Sequence, residues 1–199
     1  MKEPYLTDAL MQDIDALNKI ITQTNNVVEG NLFYSHMDNS FKLNDNYKDK
    51  RNNFVNFIKE GKDILEIGFN AGHSAALSLH TNPNIRYTGI DICYHDYTKL
   101  CAKYLIDKFD NFVDLCIGDS KELLNKIPYK YDRIHIDGDH SYYGAKTDLT
   151  GCFDLITNDG LILVDDFDFP EVKQAVLDTQ KVMYKIQLKG EKYVVLKKV

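Results

Sequence analysis

From residue 63 onward the chain alternates short apolar runs with amphipathic stretches, and that rhythm constrains the fold more than any other feature. DILEIG (63–68), IRYTGID (85–91), FVDLCIG (112–118), YDRIHID (131–137) and LILVDD (161–166) have the length and composition of buried strands. Between them, 72–80, 96–108, 120–127 and 142–157 read as helices; in the last, Ala145, Leu149, Cys152, Phe153 and Ile156 line one face. Pro128 ends the third helix, and Pro170 suits the first turn of another. Strand and helix in regular succession mean parallel strands joined by crossover helices: a doubly wound α/β sheet with helices on both faces. The last segment breaks the rhythm. MYKIQL (183–188) and KYVVLKK (192–198), joined through Lys189-Gly190-Glu191, read as a β-hairpin. The sheet is therefore expected to be mostly parallel and finished by an antiparallel hairpin.

Upstream, Leu6, Leu10, Ile14, Leu17 and Ile21 recur at helical spacing, which predicts an amphipathic helix over 6–22. Phe54, Phe57 and Ile58 mark another, stopped by Gly61. Residues 36–50 are polar with isolated aromatics, a loop or a lid. Phe33, Tyr34, Met37 and Phe41 either close over a substrate or simply pack. With no internal repeat and no Gly-, Pro- or Ser-rich linker, residues 1–199 are expected to form a single domain. In it 1–50 supply the N-terminal helix and lid, and 51–199 the core.

Bulk composition excludes several classes. The chain is 44% hydrophobic and 27% charged, ordinary for a soluble domain, with a net charge of −6. That charge argues against nucleic-acid binding and against anionic membrane surfaces, both of which reward basic faces. No run approaches the roughly 20 apolar residues of a membrane span, and MKEPYLTDALMQDIDALN has no signal-peptide apolar region. Cys93, Cys101, Cys116 and Cys152 lack CxxC spacing and sit in apolar segments. They read as reduced core thiols of a cytoplasmic protein, not a disulfide framework or zinc site. Oligomeric state is left open.

In doubly wound sheets ligands bind beyond the C-terminal strand ends, so those ends are read as a set. The first ends EIGFNAGHS, with Glu66, Gly68, Asn70 and Gly72; glycine lets backbone turn tightly and approach a ligand, and Asn tolerates the left-handed region. The second ends in Asp91, 23 residues after Gly68, where a carboxylate commonly takes a ribose diol. The third ends GDS, with Asp119 and Ser120, one of which caps the following helix if the role is only structural. A dinucleotide would set its pyrophosphate beside Glu66, a poor neighbour. S-adenosylmethionine has no phosphate and carries an ammonium and a sulfonium. Acids at three successive strand ends favour it over NAD.

These residues resemble the class I S-adenosylmethionine-dependent methyltransferases, over about residues 50–199. LEIGFNAGHSA is similar to their first motif, with Asn70 in place of the central glycine, and the final hairpin is similar to the reversed seventh strand of their Rossmann-like sheet. The resemblance implies that Glu66 lies near the methionyl ammonium, Gly68 and Gly72 under the methionine, Asp91 at the ribose hydroxyls, and Asp119 with Ser120 at the adenine amine. IDGDHSYYGAKTDL followed by LILVDDF is further similar to metal-dependent small-molecule O-methyltransferases of catechol and sugar type. It implies magnesium held by Asp137, Asp165 and Asp166, and His140 where the catechol enzymes carry a lysine base.

The chemistry suits those types. A hard dication lowers the pKa of a bound hydroxyl and fixes it for attack on a sulfonium methyl. Magnesium prefers oxygen ligands at about 2.0–2.1 Å, which carboxylates supply. Imidazole, with a pKa of about 6.5, suits proton transfer. Each residue also has a plain role: Asp137 and Asp166 as caps, Asp139 as a turn residue, His135 as a packed core histidine, His73 as a helix-start residue. Asp165 and Asp166 are adjacent, so both can meet one ion only if the strand turns there. A small hydroxylated acceptor is expected. The alternatives are a metal-independent methyltransferase and, from another class, an NAD-dependent oxidoreductase.

Overall fold

Parallel strands with apolar side chains on both faces need cover on each, and the alternation read above supplies it. The computed structural model describes residues 3–199; residues 1–2, where the N-terminal segment read above begins, lie outside the described residues. The helices are α1 (Asp8–Gln23), α2 (Lys48–Ile58), α3 (His73–Thr81), α4 (Asp96–Lys108), α5 (Ser120–Leu123), α6 (Tyr142–Leu155) and α7 (Pro170–Gln180). The strands are β1 (Asp63–Ile67), β2 (Arg86–Asp91), β3 (Phe112–Ile117), β4 (Tyr131–Ile136), β5 (Ile156–Val164), β6 (Tyr184–Lys189) and β7 (Val194–Lys198). They form a sheet in the order β3-β2-β1-β4-β5-β7-β6. β1, β4 and β5 run parallel, and β7 is antiparallel to both β5 and β6. The order reverses between β1 and β4, the switch point at which such sheets bind ligands.

Two elements differ from expectation. The helix expected over 120–127 is only α5, followed by a tighter turn over Leu124–Lys126. Pro128 forces Ile127 into extended backbone (ψ 119°) and cannot donate to a helical carbonyl, so the helix ends early. β5 starts five residues before its apolar run. Tyr131 pairs with Ile156 and Arg133 with Leu161, so TNDG (157–160) is absorbed as a bulge, and Ile156 belongs to the strand, not to the α6 face.

Contacts group the chain into two compact units. One comprises the chain up to Glu60 with Phe69–Tyr87 and Cys93–Asp114; the other comprises Gly61–Gly68, Thr88–Ile92 and Leu115–Val199. In the first, α1 buries Leu10, Ile14, Leu17 and Ile21 and packs on α3 and α4. Its buried Asp13 accepts from Tyr104 Oη (2.5 Å), meets His80 Nε2 (2.6 Å) and pairs with Lys108, so no charge is left uncompensated. Fully buried Arg51 binds Glu3 through two nitrogens (2.7 and 2.8 Å) and donates to the carbonyls of Leu32 and Asn44 (both 3.0 Å). It thereby pins both ends of the irregular segment that pairs Tyr34 with Leu43. Phe33 and Tyr34 are buried; Met37 is exposed. In the second unit, Leu65, Ile134, Leu149, Cys152, Ile162 and Leu196 are fully buried in one cluster. Of the four thiols read as core, Cys101 and Cys152 are buried, and burial raises the pKa of Cys101 to about 12 and holds that of Cys152 well above normal; Cys93 and Cys116 are only half-buried, which corrects the expectation for them. Among the described residues no helix is long and apolar enough to cross a membrane.

His73 opens α3, its ring beside Phe33 and Tyr34 (centroids 6.1 and 5.9 Å) and its Nε2 3.0 Å from Asn18 Oδ1. Burial pushes its pKa from 6.5 down to about 4. Below pH 6.5 the unfolded chain takes up a proton that the folded chain refuses, so this group costs stability as pH falls toward 4. In His73→Gln, which keeps a donor where Nε2 was, urea midpoints across that range should fall less than in the wild type. The difference should reach about 2–3 kcal/mol.

Candidate active site

The backbone ladder continues one residue past the ends of the central strands. Asp137 N donates to Ile67 O and Asp165 N to Ile136 O, both at 2.9 Å, so Asp137 and Asp165 emerge side by side. Gly68 N donates to Ile90 O at 2.9 Å. Gly68 has φ +94°, and a Cβ there would lie 1.9 Å from the Asp137 carbonyl oxygen. Both the conformation and the contact exclude any other residue.

Side chains two apart on a strand share a face, so His135 stands on the same face as Asp137. His135 is also the register partner of Glu66. The two are 1% exposed each, with Nδ1 and Oε1 2.6 Å apart. Although burial disfavours the imidazolium, the Glu66 carboxylate, with Asp137 and Asp165, raises the His135 pKa. His135 is therefore buried as expected, but in an ionisable pair.

The carboxylates and imidazoles form two overlapping groups, in each of which one ligand atom per residue lies within 4.8 Å of the others. One group is His135, Asp137 and Asp165; the other is Asp137, His140 and Asp166. Asp165 is buried, and its Oδ1 accepts from Asp166 N at 2.9 Å. Asp166 has φ +52°, so the chain does turn after β5 and the adjacent acids meet Asp137 from different groups. His140 Nε2 lies 3.1 Å from Asp166 Oδ2 and 3.7 Å from Asp137 Oδ1. Those carboxylates raise its pKa. The Phe169 ring lies 5.2 Å from its ring. Asp139 instead accepts from Ser141 N (2.8 Å), a turn contact, and its side chain lies over Gly144, where a Cβ would meet it at 2.3 Å. Tyr143 is exposed; Tyr142 is half-buried and donates to Asp178 (3.0 Å).

At the other strand ends, Asp91 is half-buried, and its carbonyl accepts from Gly118 N at 2.9 Å. Asp119 is the cap of α5, accepting from Lys121 N at 2.9 Å. Ser120 donates to Asp148 Oδ1 at 2.6 Å. Asp148, not singled out in the sequence, is 1% exposed, and burial raises its pKa to about 6. In the first unit, Asn70 does adopt the left-handed backbone (φ +52°). Its side chain accepts from Tyr97 Oη (2.6 Å) and donates to Gly30 O (3.4 Å). Gly72 has φ +77°, and a Cβ there would meet Phe69 at 2.5 Å. His135 was detectable in advance, two residues before Asp137 on an alternating strand; Asp148 gave no such signal.

A protein-family model described as a methyltransferase domain matches residues 65–167. No curated protein sequence matches the chain. Among solved structures, SAH-bound methyltransferase PaMTH1 of Podospora anserina has a TM-score of 0.71 at 13% identity, covering 98% of this chain and 89% of that one. The O-methyltransferase TomG of Streptomyces achromogenes, involved in tomaymycin synthesis and solved with SAM, has a TM-score of 0.63 at 13% identity over 94% and 90%. TrmN of Thermus thermophilus has a TM-score of 0.59 at 15% identity over 75% of this chain, which spans only 48% of that protein. At these identities the likeness is one of fold.

Two predictions follow from the geometry. Gly68→Ala should lose more than about 3 kcal/mol or fail to fold, read as a urea midpoint or as insoluble product. Asp148, with its pKa raised, favours folding while protonated and loses that contribution as pH rises through about 6. Comparing pH 4 with pH 7, Asp148→Asn should therefore gain about 2 kcal/mol relative to the wild type.

Proposed function

The chain belongs to the methyltransferase-domain family whose model spans residues 65–167, and from that premise we propose an S-adenosylmethionine-dependent O-methyltransferase acting on a small hydroxylated acceptor with a divalent cation, magnesium or another hard ion. Family membership sets the oxidoreductase alternative aside. The observation that carries the metal-assisted version is Asp137, common to both groups of potential ligand atoms, with Asp165 in one and Asp166 in the other. Clustered carboxylates repel one another, and a dication relieves that repulsion. The donors fit such an ion, since carboxylate oxygens dominate and an imidazole borders them.

Bound S-adenosylmethionine would supply a methyl group on a sulfonium, open to in-line attack by oxygen. A bound cation would hold the acceptor oxygen and lower its pKa. On the protein side, Asp137, Asp165 and Asp166 would hold the ion, and the Asp165 contact to Asp166 N steadies the turn that presents Asp166. His140, exposed beside Asp137 and Asp166, would take the acceptor proton as the methyl group passes from sulfur to oxygen. For the cofactor, Glu66 would meet the ammonium, Gly68 the methionine, Asp91 the ribose, and Asp119 with Ser120 the adenine. The SAH and SAM held by the PaMTH1 and TomG structures, which share the fold, support S-adenosylmethionine as the cofactor.

Methyl transfer from S-adenosylmethionine to catechol-type and sugar acceptors, with and without EDTA, tests the proposal. Asp137→Asn and Asp166→Asn should each lower turnover at least about 100-fold and abolish chelator sensitivity, while calorimetry shows S-adenosylhomocysteine binding retained. Wild-type transfer undiminished by EDTA would overturn the metal and leave the metal-independent alternative.

A further inference from the structure

Methyl transfer as described gives no task to His135, although it stands at the switch point of the sheet. It and Glu66 are opposite each other in the β1–β4 register, each 1% exposed, and 2.6 Å apart. A buried pair of this kind gains little over an apolar pair of the same volume, because desolvation offsets the attraction. On its own face the neighbours are mixed: Ile64 and Leu163 are buried and apolar, while Asp137 and Asp165 follow at the strand ends. A pair that stability does not demand, one residue of which stands two before Gly68 and the other two before Asp137, points to function.

We propose that His135 is a positioning residue for the cofactor: its Nδ1–H fixes the Glu66 carboxylate in the one orientation that receives the methionyl ammonium. This role presupposes the S-adenosylmethionine site proposed above. A glutamate has three side-chain torsions, and a buried carboxylate anchored at Oε1 keeps only the rotamer that satisfies that bond. Pre-setting that rotamer removes an ordering cost from binding. The same imidazole has a ring nitrogen within 4.8 Å of carboxylate oxygens of Asp137 and Asp165, so it stands among the acids at these strand ends.

Side-chain isosteres separate this role from packing. The amide nitrogen of asparagine falls where Nδ1 lies, that of glutamine where Nε2 lies, and leucine has neither. Calorimetry would compare S-adenosylhomocysteine, which has the ammonium, with 5′-methylthioadenosine, which lacks the amino-acid end. His135→Asn should bind S-adenosylhomocysteine within about 3-fold of wild type, whereas His135→Gln and His135→Leu should lose 10-fold or more. All three should bind methylthioadenosine like the wild type, with thermal melts confirming folding. Equal loss of both ligands would reduce His135 to a structural residue, and unchanged S-adenosylhomocysteine affinity in the glutamine variant would overturn the proposal. A wild-type protein that binds neither ligand would instead overturn the cofactor site itself. If leucine does not fold, the asparagine and glutamine variants decide alone.

Discussion

Two backbone hydrogen bonds, Asp137 N to Ile67 O and Asp165 N to Ile136 O, govern what lies at the C-terminal strand ends of this sheet, where the candidate site stands. They extend parallel pairing one step beyond β1, β4 and β5, so residues that would otherwise begin three independent loops stay in register. Parallel strands all end on one edge, and alternation then sets one face of each. Glu66, His135, Asp137 and Asp165 are brought together by that arithmetic. Gly68 makes it possible, because any side chain there would strike the Asp137 carbonyl.

Concentrating ionisable groups at the end of an apolar sheet costs desolvation, and the protein answers differently at each point. Glu66 is matched by His135. His140 lies between Asp137 and Asp166. Among the described residues Asp148 is hydrogen-bonded by the Ser120 hydroxyl on one oxygen, and burial raises its pKa. The first unit contrasts with this: Asp13 and Arg51 are wholly buried yet surrounded by partners, as structural charges are expected to be. Charge that is fully compensated builds the scaffold; charge that is crowded or under-compensated gathers where ligands are expected.

Much of the candidate site was legible because strand ends carry information that does not depend on register. Asp137, Asp165 and Asp166 stand out because strand-end position and the resemblance to metal-dependent O-methyltransferases point to the same residues, and the positive φ of Asp166 supplies the turn that two adjacent acids require. Asn70 in a glycine's place was legible as left-handed backbone, and is so. Where sequence reasoning fell short, the missing quantity was a partner. Capping was weighed for Asp119 and Ser120 alike; Asp119 caps, while Ser120 turns to Asp148, 28 residues away. His135 was read as core, and it is buried, but burial alone says nothing of Glu66 across the ladder, 69 residues distant.

The sequence by itself determined the kind and order of the elements, because hydrophobic period, proline and glycine act within a few residues. It also determined that acids end most of the strands. Only the tertiary structure decided strand order, the bulge that lengthens β5, and which charges meet. Those depend on register between segments tens of residues apart, and a shift of one residue would turn every side chain of a strand to its other face.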